Sequence, residues 1–279
     1  MKQSFMKLKL SYRLFLIIIL CFLIPFILLY FGSYARAESI IKEKTEEVEG
    51  ENIRQVGNIL ENVCLNIVNA SNYLVAFNIY DKLLYKEDSS YDYLTAYHTA
   101  DELIQNINNS LLDAQADISI FSGTTLLYST NSFQNVEYKE FYNTYIAEND
   151  SLSDYSPFFS AVHSSYIKHK TNNYISCIRK ISALRGENYY LVISMPVSVF
   201  ENRLNTAMGT MLLLDSYGNT ICQTPGEEIN PAEIAQLESD TDNRKQTHEL
   251  ERLTLKKPNK MVTIYPMSVY SWKLLNISS

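Results

Sequence analysis

The chain has 279 residues, a formal net charge of −7 and eight glycines, a length that suits one large or two small domains at roughly 100–200 residues each. Its acidity repels phosphate backbones, and nucleic-acid binding would need a basic patch. Neither GxGxxG nor GxxxxGK[ST] occurs, so no phosphate-cradling loop points to a nucleotide enzyme.

The charge is unevenly spread. Lys2, Lys7, Lys9 and Arg13 are the only charged residues before Tyr34, which leaves residues 35–279 with 20 cations against all 31 acids, a balance of −11. From Leu14 to Phe31 eighteen residues run without a charge, LFLIIILCFLIPFILLYF, close to the ~20 needed to cross a bilayer as a helix. Cations before this run and acids after it place residues 1–13 in the cytoplasm, 14–34 in the membrane and 35–279 outside the cell. Tyr30 and Tyr34 suit an interfacial belt, and Pro25 is tolerable in a membrane helix. Ala35-Arg36-Ala37 has the form of a signal-peptidase site, but the apolar run exceeds the roughly 7–15 residues of a signal core and the helical pattern continues past it. An uncleaved anchor is expected.

Residues 35–98 then read as a long helical region leaving the membrane. Ile53, Val56, Leu60, Val63, Ile67, Ala70, Leu74 and Phe77 follow a 3-4-3-4 spacing, an a/d seam. Such a seam serves either a second copy of the chain, in a homodimer, or the packing of the helix on its own domain's sheet. With no proline between Pro25 and Pro157, one helix can run from the membrane to about Phe77.

After the polar break Lys86–Ser90 a second helix is predicted from Thr99, with Glu102 completing a capping box. The period then changes. DISIFS (Asp117–Ser122) and LLYST (Leu126–Thr130) read as a hairpin turning at Gly123, followed by a short helix at Tyr138–Glu148. Strands are predicted at Asn173–Ile181 and Tyr189–Met195, and a helix from Pro196 through Leu204. The order then repeats in miniature: a hairpin at Thr210–Asp215 and Thr220–Gln223, an acidic stretch from Pro225 to Arg244, and strands at Met261–Met267 and Trp272–Ile277. The expected fold class is α+β, two antiparallel-sheet modules at 99–204 and 205–279 behind the long helix.

Enzymatic readings fail on context. His248-Glu249-Leu250 resembles a kinase phospho-acceptor box, but it falls outside the membrane by the charge rule and only 31 residues remain for a nucleotide-binding domain. The same triplet is not HExxH, since position 252 is Arg, and His163 and His169 are six apart, off one helix face. No GxSxG elbow is present. Among the four cysteines, Cys21 lies in the apolar run, while Cys64, Cys177 and Cys222 show no metal-ligand spacing and read as buried small hydrophobes. No catalytic residue, metal or cofactor is expected.

Taken together, the long helix to Phe77, the hairpin ISIFSGTTLLYST, the strands YISCIRKI and YYLVISMPVSVFENRL, the hairpin LLLDSYGNTI and the terminal YSWKLLNIS resemble the double Cache sensor region of a YesM-type, LytS-like histidine kinase. The resemblance implies two PAS-like modules, a membrane-distal one that binds a small solute and a proximal one that relays the event. It implies a cognate response regulator only where a kinase follows; the same outer module also serves chemotaxis receptors and cyclic-dinucleotide enzymes, and a secreted or anchored binding protein is a further alternative. In such modules the ligand lies against the distal sheet under a roof, here Tyr138–Phe159, which offers Tyr138, Phe141, Tyr142, Tyr145, Tyr155 and Phe158. Aromatic walls with a few polar groups suit a small-molecule pocket. Arg179, a charge within a strand, needs solvent, an acid or a ligand anion. The amino-acid-binding subset of these domains carries an Arg that is absent around Tyr138–Tyr142, so an amino-acid ligand is not supported, whereas carbohydrate recognition is compatible with the tyrosines.

Overall fold

The computed structural model describes residues 10–78, 90–130, 138–147, 156–165, 172–182, 188–205, 209–225, 251–255 and 260–278. Tyr155, the acidic stretch 226–244 and the His248 triplet lie outside the described residues. The chain falls into two compact units, Met1–Glu51 and Asn52–Ser279.

The first unit is helical. It is the N-terminal part of helix α1, Leu10–Ala76, which is continuous through Pro25. Among the described residues this is one helix long and apolar enough to cross a membrane, and from Ile17 to Phe31 it is exposed.

The second unit begins with the rest of α1 and continues with α2 (Ser90–Ser110), β1 (Asp117–Ser122), β2 (Thr125–Ser129), a short helix α3 (Tyr138–Phe141) that passes into a π turn at Tyr142–Ile146, β3 (Phe158–Phe159), β4 (His163–Ser164), β5 (Asn173–Ser182), β6 (Asn188–Pro196) and α4 (Ser198–Leu204). A second set follows: β7 (Thr210–Leu214), β8 (Thr220–Gln223), β9 (Glu251–Leu255), β10 (Lys260–Pro266) and β11 (Lys273–Ser278). Two antiparallel sheets result, β2-β1-β6-β5-β3, with β4 also on β5, and β8-β7-β11-β10-β9. The second repeats the order of the first. The likeness reaches single side chains: Thr130 Oγ1 accepts from the Ile118 amide at 3.0 Å, and Thr224 Oγ1 from the Met211 amide at 2.8 Å, so one threonine closes each hairpin.

The 3-4 seam of α1 is buried within the chain itself from Ile53 to Leu74, whereas Phe77 at its end is exposed. Ile53, Leu60 and Ile67 are fully buried, and Val56, Val63 and Leu74 nearly so. They join one core with Ile118, Ile175, Cys177, Leu191, Ile193, Met211 and Leu213, spanning the helix-facing sides of both sheets. These positions are therefore not open to a second copy; of the two uses such a seam has, the structure shows packing on the chain's own sheets. Burying a Leu or Ile is worth about 1.5–3 kcal/mol relative to exposure, which explains why the seam turns inward.

Contacts along α1 fix its register on the second sheet. The Tyr265 hydroxyl donates to Asn58 Oδ1 at 2.9 Å, the Ser268 hydroxyl donates to Glu61 Oε1 at 3.0 Å, and the Ser268 amide donates to the same oxygen. Gly57 lies under the Tyr265 ring, where a Cβ would stand 2.4 Å from two ring carbons.

Four elements differ from expectation. Helix α2 starts at Ser90, and Thr99 is inside it with its hydroxyl donating to the Thr95 carbonyl at 2.9 Å. Tyr97 packs on the core and Ala100 is buried in it, so apolar burial carries the helix upstream of a purely local capping pattern. The edge strands β3, β4 and β9 were not anticipated; β3 and β4 are two residues each, too short for a period-2 pattern to announce.

The Gly57–Tyr265 contact predicts a change of sign. Gly57→Ala destabilises the chain in urea unfolding by about 1 kcal/mol, because overpacking at about 1–3 kcal/mol exceeds the gain in helix propensity. In a Tyr265→Ala background the same substitution stabilises.

Candidate functional site

Period-2 alternation divides the first sheet between two tasks. Ile175, Cys177 and Ile181 of β5, with Leu191, Ile193 and Met195 of β6, face the core shared with α1. Ile178 of β5, with Tyr190 and Val192 of β6 and Phe121 of β1, face the other way and form a separate cluster with Phe141 and Ile146 of the roof. Tyr138, Tyr142, Tyr145 and Phe158 pack against that cluster.

The rings interlock at specific angles. Tyr138 meets Phe121 edge-on with centroids 5.0 Å apart, Phe141 stacks on Phe121 at 6.1 Å, and Tyr142 meets Tyr190 edge-on at 5.7 Å. Offset and edge-to-face pairs of this kind add about 0.5–1.5 kcal/mol each beyond burial. Ring contacts and the burial of Phe141 and Ile146 hold roof and sheet together, while Tyr142 and Tyr145 remain half-buried at the margin.

Beside the rings runs a buried polar strip. His163 is packed by Phe141 and Tyr145, each with centroids 5.0 Å away. Its Nδ1 stands 2.8 Å from the Ser164 carbonyl oxygen, which can only accept, so Nδ1 carries the proton. Nε2 then accepts from the Ser176 hydroxyl at 2.8 Å, and Ser176 Oγ accepts from Ser194 Oγ at 2.7 Å. Ser119, buried on the same face of β1, donates to Ser129 Oγ at 3.2 Å. Burial pushes the His163 pKa below its ordinary value, and the bond to Ser164 opposes this.

Five of the sequence-predicted residues, Tyr138, Phe141, Tyr142, Tyr145 and Phe158, are brought together here. Arg179 is not. It follows Ile178 and so points to the opposite face, where Nη1 donates to Asn72 Oδ1 on α1 at 2.5 Å and where its charge partly offsets the burial that pushes the Cys177 thiol up to about 12. It ties helix to sheet from a half-buried position, and its Nε is buried without a hydrogen-bond partner. Phe121, Ile178, Tyr190, Val192, His163 and the serines were missed; the two-residue spacing Tyr190-Val192-Ser194 and Ser176-Ile178 was their signal. Cys64, Cys177 and Cys222 are buried free thiols. Among the described residues, no group of three His, Cys, Asp or Glu side chains is placed to hold a metal ion.

One element reaches both faces. Phe158 enters the roof cluster, while its neighbour Phe159 packs edge-on against Tyr270 at 4.7 Å and Trp272 at 5.3 Å, in the loop entering β11. Tyr270 and Ser271 both have positive φ, 60° and 55°, a conformation that costs a side-chain-bearing residue about 1–2 kcal/mol. The ring packing holds Tyr270 there.

With this geometry in view, the architecture matches that of extracellular sensor domains. The extracellular domain of rpHK1S-Z16, provisionally named a histidine kinase, superposes with a TM-score of 0.59 at 11% identity, covering 86% of this chain and 96% of its own. The ligand-binding domain of the Campylobacter jejuni chemoreceptor Tlp3, in complex with 4-methylisoleucine, gives 0.58 at 12% identity over 85% and 91%. That of the Pseudomonas aeruginosa PAO1 amino-acid chemoreceptor PctC, with GABA, gives 0.55 at 9% over 84% and 100%. The α+β arrangement of a long helix and two Cache-like modules is the one these domains share. No protein-family model matches the sequence, and no curated protein matches it.

The buried neutral His163 sets a pH dependence. Its folded-state pKa lies below the unfolded value near 6.5, so the unfolded chain binds the extra proton as pH falls. Its contribution to stability is complete above about pH 6.5 and is lost as pH drops below that value. Thermal unfolding from pH 7.5 to 5 therefore shows a steeper loss in the wild type than in His163→Gln, and equal slopes would remove His163 as the cause.

Proposed function

We propose that the chain is the sensing region of a membrane-anchored bacterial receptor of the two-component histidine kinase type. In this reading the N-terminus is cytoplasmic, residues 35–279 are extracytoplasmic, 99–204 form the distal module and 205–279 the proximal one, and the distal module binds a small solute between the Tyr138–Ile146 roof and the outer face of β1, β5 and β6. The observation that carries it is the division of the first sheet into a structural face on α1 and a second face of aromatic rings beside a buried His–Ser strip. A sheet needs a second covered face to hold a core, but a roof retained by ring edges, with polar groups buried next to it, suits a closable site. The likeness to chemoreceptor domains is as good as that to the kinase domain, so a chemotaxis receptor is the second reading.

Those chemoreceptor domains hold amino-acid ligands. Of the two cations on β5, Arg179 is on the far face bonded to Asn72, and Lys180 shares the face of Ile178. A hydroxylated solute, such as a carbohydrate, is compatible with the tyrosines and the serine strip. Ring faces stack on apolar sugar faces, and Tyr and Ser hydroxyls both donate and accept.

The relay runs through β3. A solute that displaces the roof moves Phe158; Phe159, the next residue, transmits the shift to Tyr270 and Trp272. Binding then favours one of two arrangements of the joint, a population shift set by the ligand's differential affinity.

A thermal-shift screen of the full chain with sugars and amino acids tests the binding site. A solute at 100 times its Kd adds about 2.7 kcal/mol of stability; Tyr142→Ala weakens it at least ten-fold and Arg179→Gln leaves it within two-fold. Loss in Arg179→Gln equal to that in Tyr142→Ala would place binding elsewhere. Trp272, the single tryptophan, reports the relay: the solute changes its emission in the wild type, and Phe159→Leu abolishes that change while retaining the thermal shift.

A further inference from the structure

Arg179 is a charge on a face of β5 that is otherwise apolar. Ile175, Cys177 and Ile181 share that face and enter the core with α1, while Arg179 makes no ion pair among the described residues. Its hydrogen-bond partner is a neutral amide, Asn72 Oδ1, met by Nη1. The edge left over is Nε with Nη2, the pair of parallel N–H groups that grips an anion side-on, and Nε is buried without an acceptor. The region from residue 35 onward carries −11, yet this half-buried cation has no acid beside it, whereas buried charges are ordinarily paired. A second orphan donor lies on the same turn of α1. Ser71, next to Asn72, is 1% exposed and its hydroxyl has no partner, although a helical serine can bond the carbonyl four residues back. Tyr270 comes in from the joint: Phe159, paired with Cys177 in the ladder, packs its ring on Tyr270. Burial raises the Tyr270 pKa and the Arg179 charge opposes the rise, while burial holds the Cys64 and Cys177 thiols protonated. The groups gathered around the guanidinium are thus donors or neutral.

We infer that Arg179, Ser71 and Tyr270 form a site for a small monovalent anion of chloride size, between α1 and the helix face of the first sheet. A water molecule accepts from the same donors but leaves the guanidinium charge uncompensated, which is costly away from bulk solvent. The anion is small because Nε is closed off from solvent. Held there, it joins α1, β5 and the loop that carries Tyr270. The site lies across the sheet from the ring-lined face, so it is separate from the solute site and does not depend on the receptor reading.

Thermal unfolding of the full chain in detergent micelles tests this, with sodium chloride replacing sodium gluconate at constant ionic strength. Chloride raises Tm along a saturating curve in the wild type and in Arg54→Gln, which removes an exposed cation elsewhere on α1, with half-saturation within two-fold of each other. Arg179→Gln raises half-saturation at least ten-fold. Ser71→Ala and Tyr270→Phe, which keep the charge, each raise it at least three-fold, so the inference stays testable if Arg179→Gln fails to fold. Equal Tm in the two salts overturns it, as does a rise that does not saturate, a loss in Arg54→Gln equal to that in Arg179→Gln, or unchanged half-saturation in Ser71→Ala or Tyr270→Phe.

Discussion

The rest of the structure depends on the first sheet being covered on both faces by different things. Because β5 and β6 alternate strictly, each residue is committed to the helix side or to the roof side, and neighbours such as Ile178 and Arg179 serve unrelated ends. On the helix side, aliphatic residues close over Ile53, Leu60 and Ile67 and fix the position of α1. On the roof side, rings and a histidine-linked run of serines are enclosed by a short helix and a π turn. The helix face is thus a conventional core, and the roof face is a second cluster built from rings.

The two sheets are joined along α1. They share one core along α1, so α1 is held by Arg179–Asn72 at the first sheet and by Tyr265, Gly57 and Glu61–Ser268 at the second. The loop entering β11 closes the joint, with Tyr270 held at positive φ against Phe159. A strand of two residues carries one ring to the roof cluster and one to that loop. Strain of this kind persists where the surroundings over-determine it and is enriched at sites that switch.

The fold was legible because its signals are periodic and local. The apolar run of α1, its 3-4 spacing and the alternation of β1, β5, β6, β7 and β11 each repeat enough times to be read. Thr99 misled because a capping box describes four residues, whereas burial of Tyr97 and Ala100 acts over the whole helix. The site was half legible. Clustering of aromatic residues in the roof located Tyr138, Phe141, Tyr142, Tyr145 and Phe158, but the floor beneath them required knowing which parity of each strand faces outward. Arg179 could not be assigned a side without that parity, and it fell on the α1 face. His163 was invisible as a site residue, since its strand is two residues long and its partners, Ser176 and Ser194, are brought to it by strand pairing.

The central claim is that solute binds on the ring-lined face of the first sheet and not on its helix face or in the second module. Hydrogen exchange of the full chain, compared with and without a saturating solute found by thermal stabilisation, tests it most directly. The account predicts new protection at Tyr138–Ile146 and in β1, β3, β5 and β6, with smaller changes in the loop before Trp272. Protection confined to β7–β11, or to α1 alone, would contradict it.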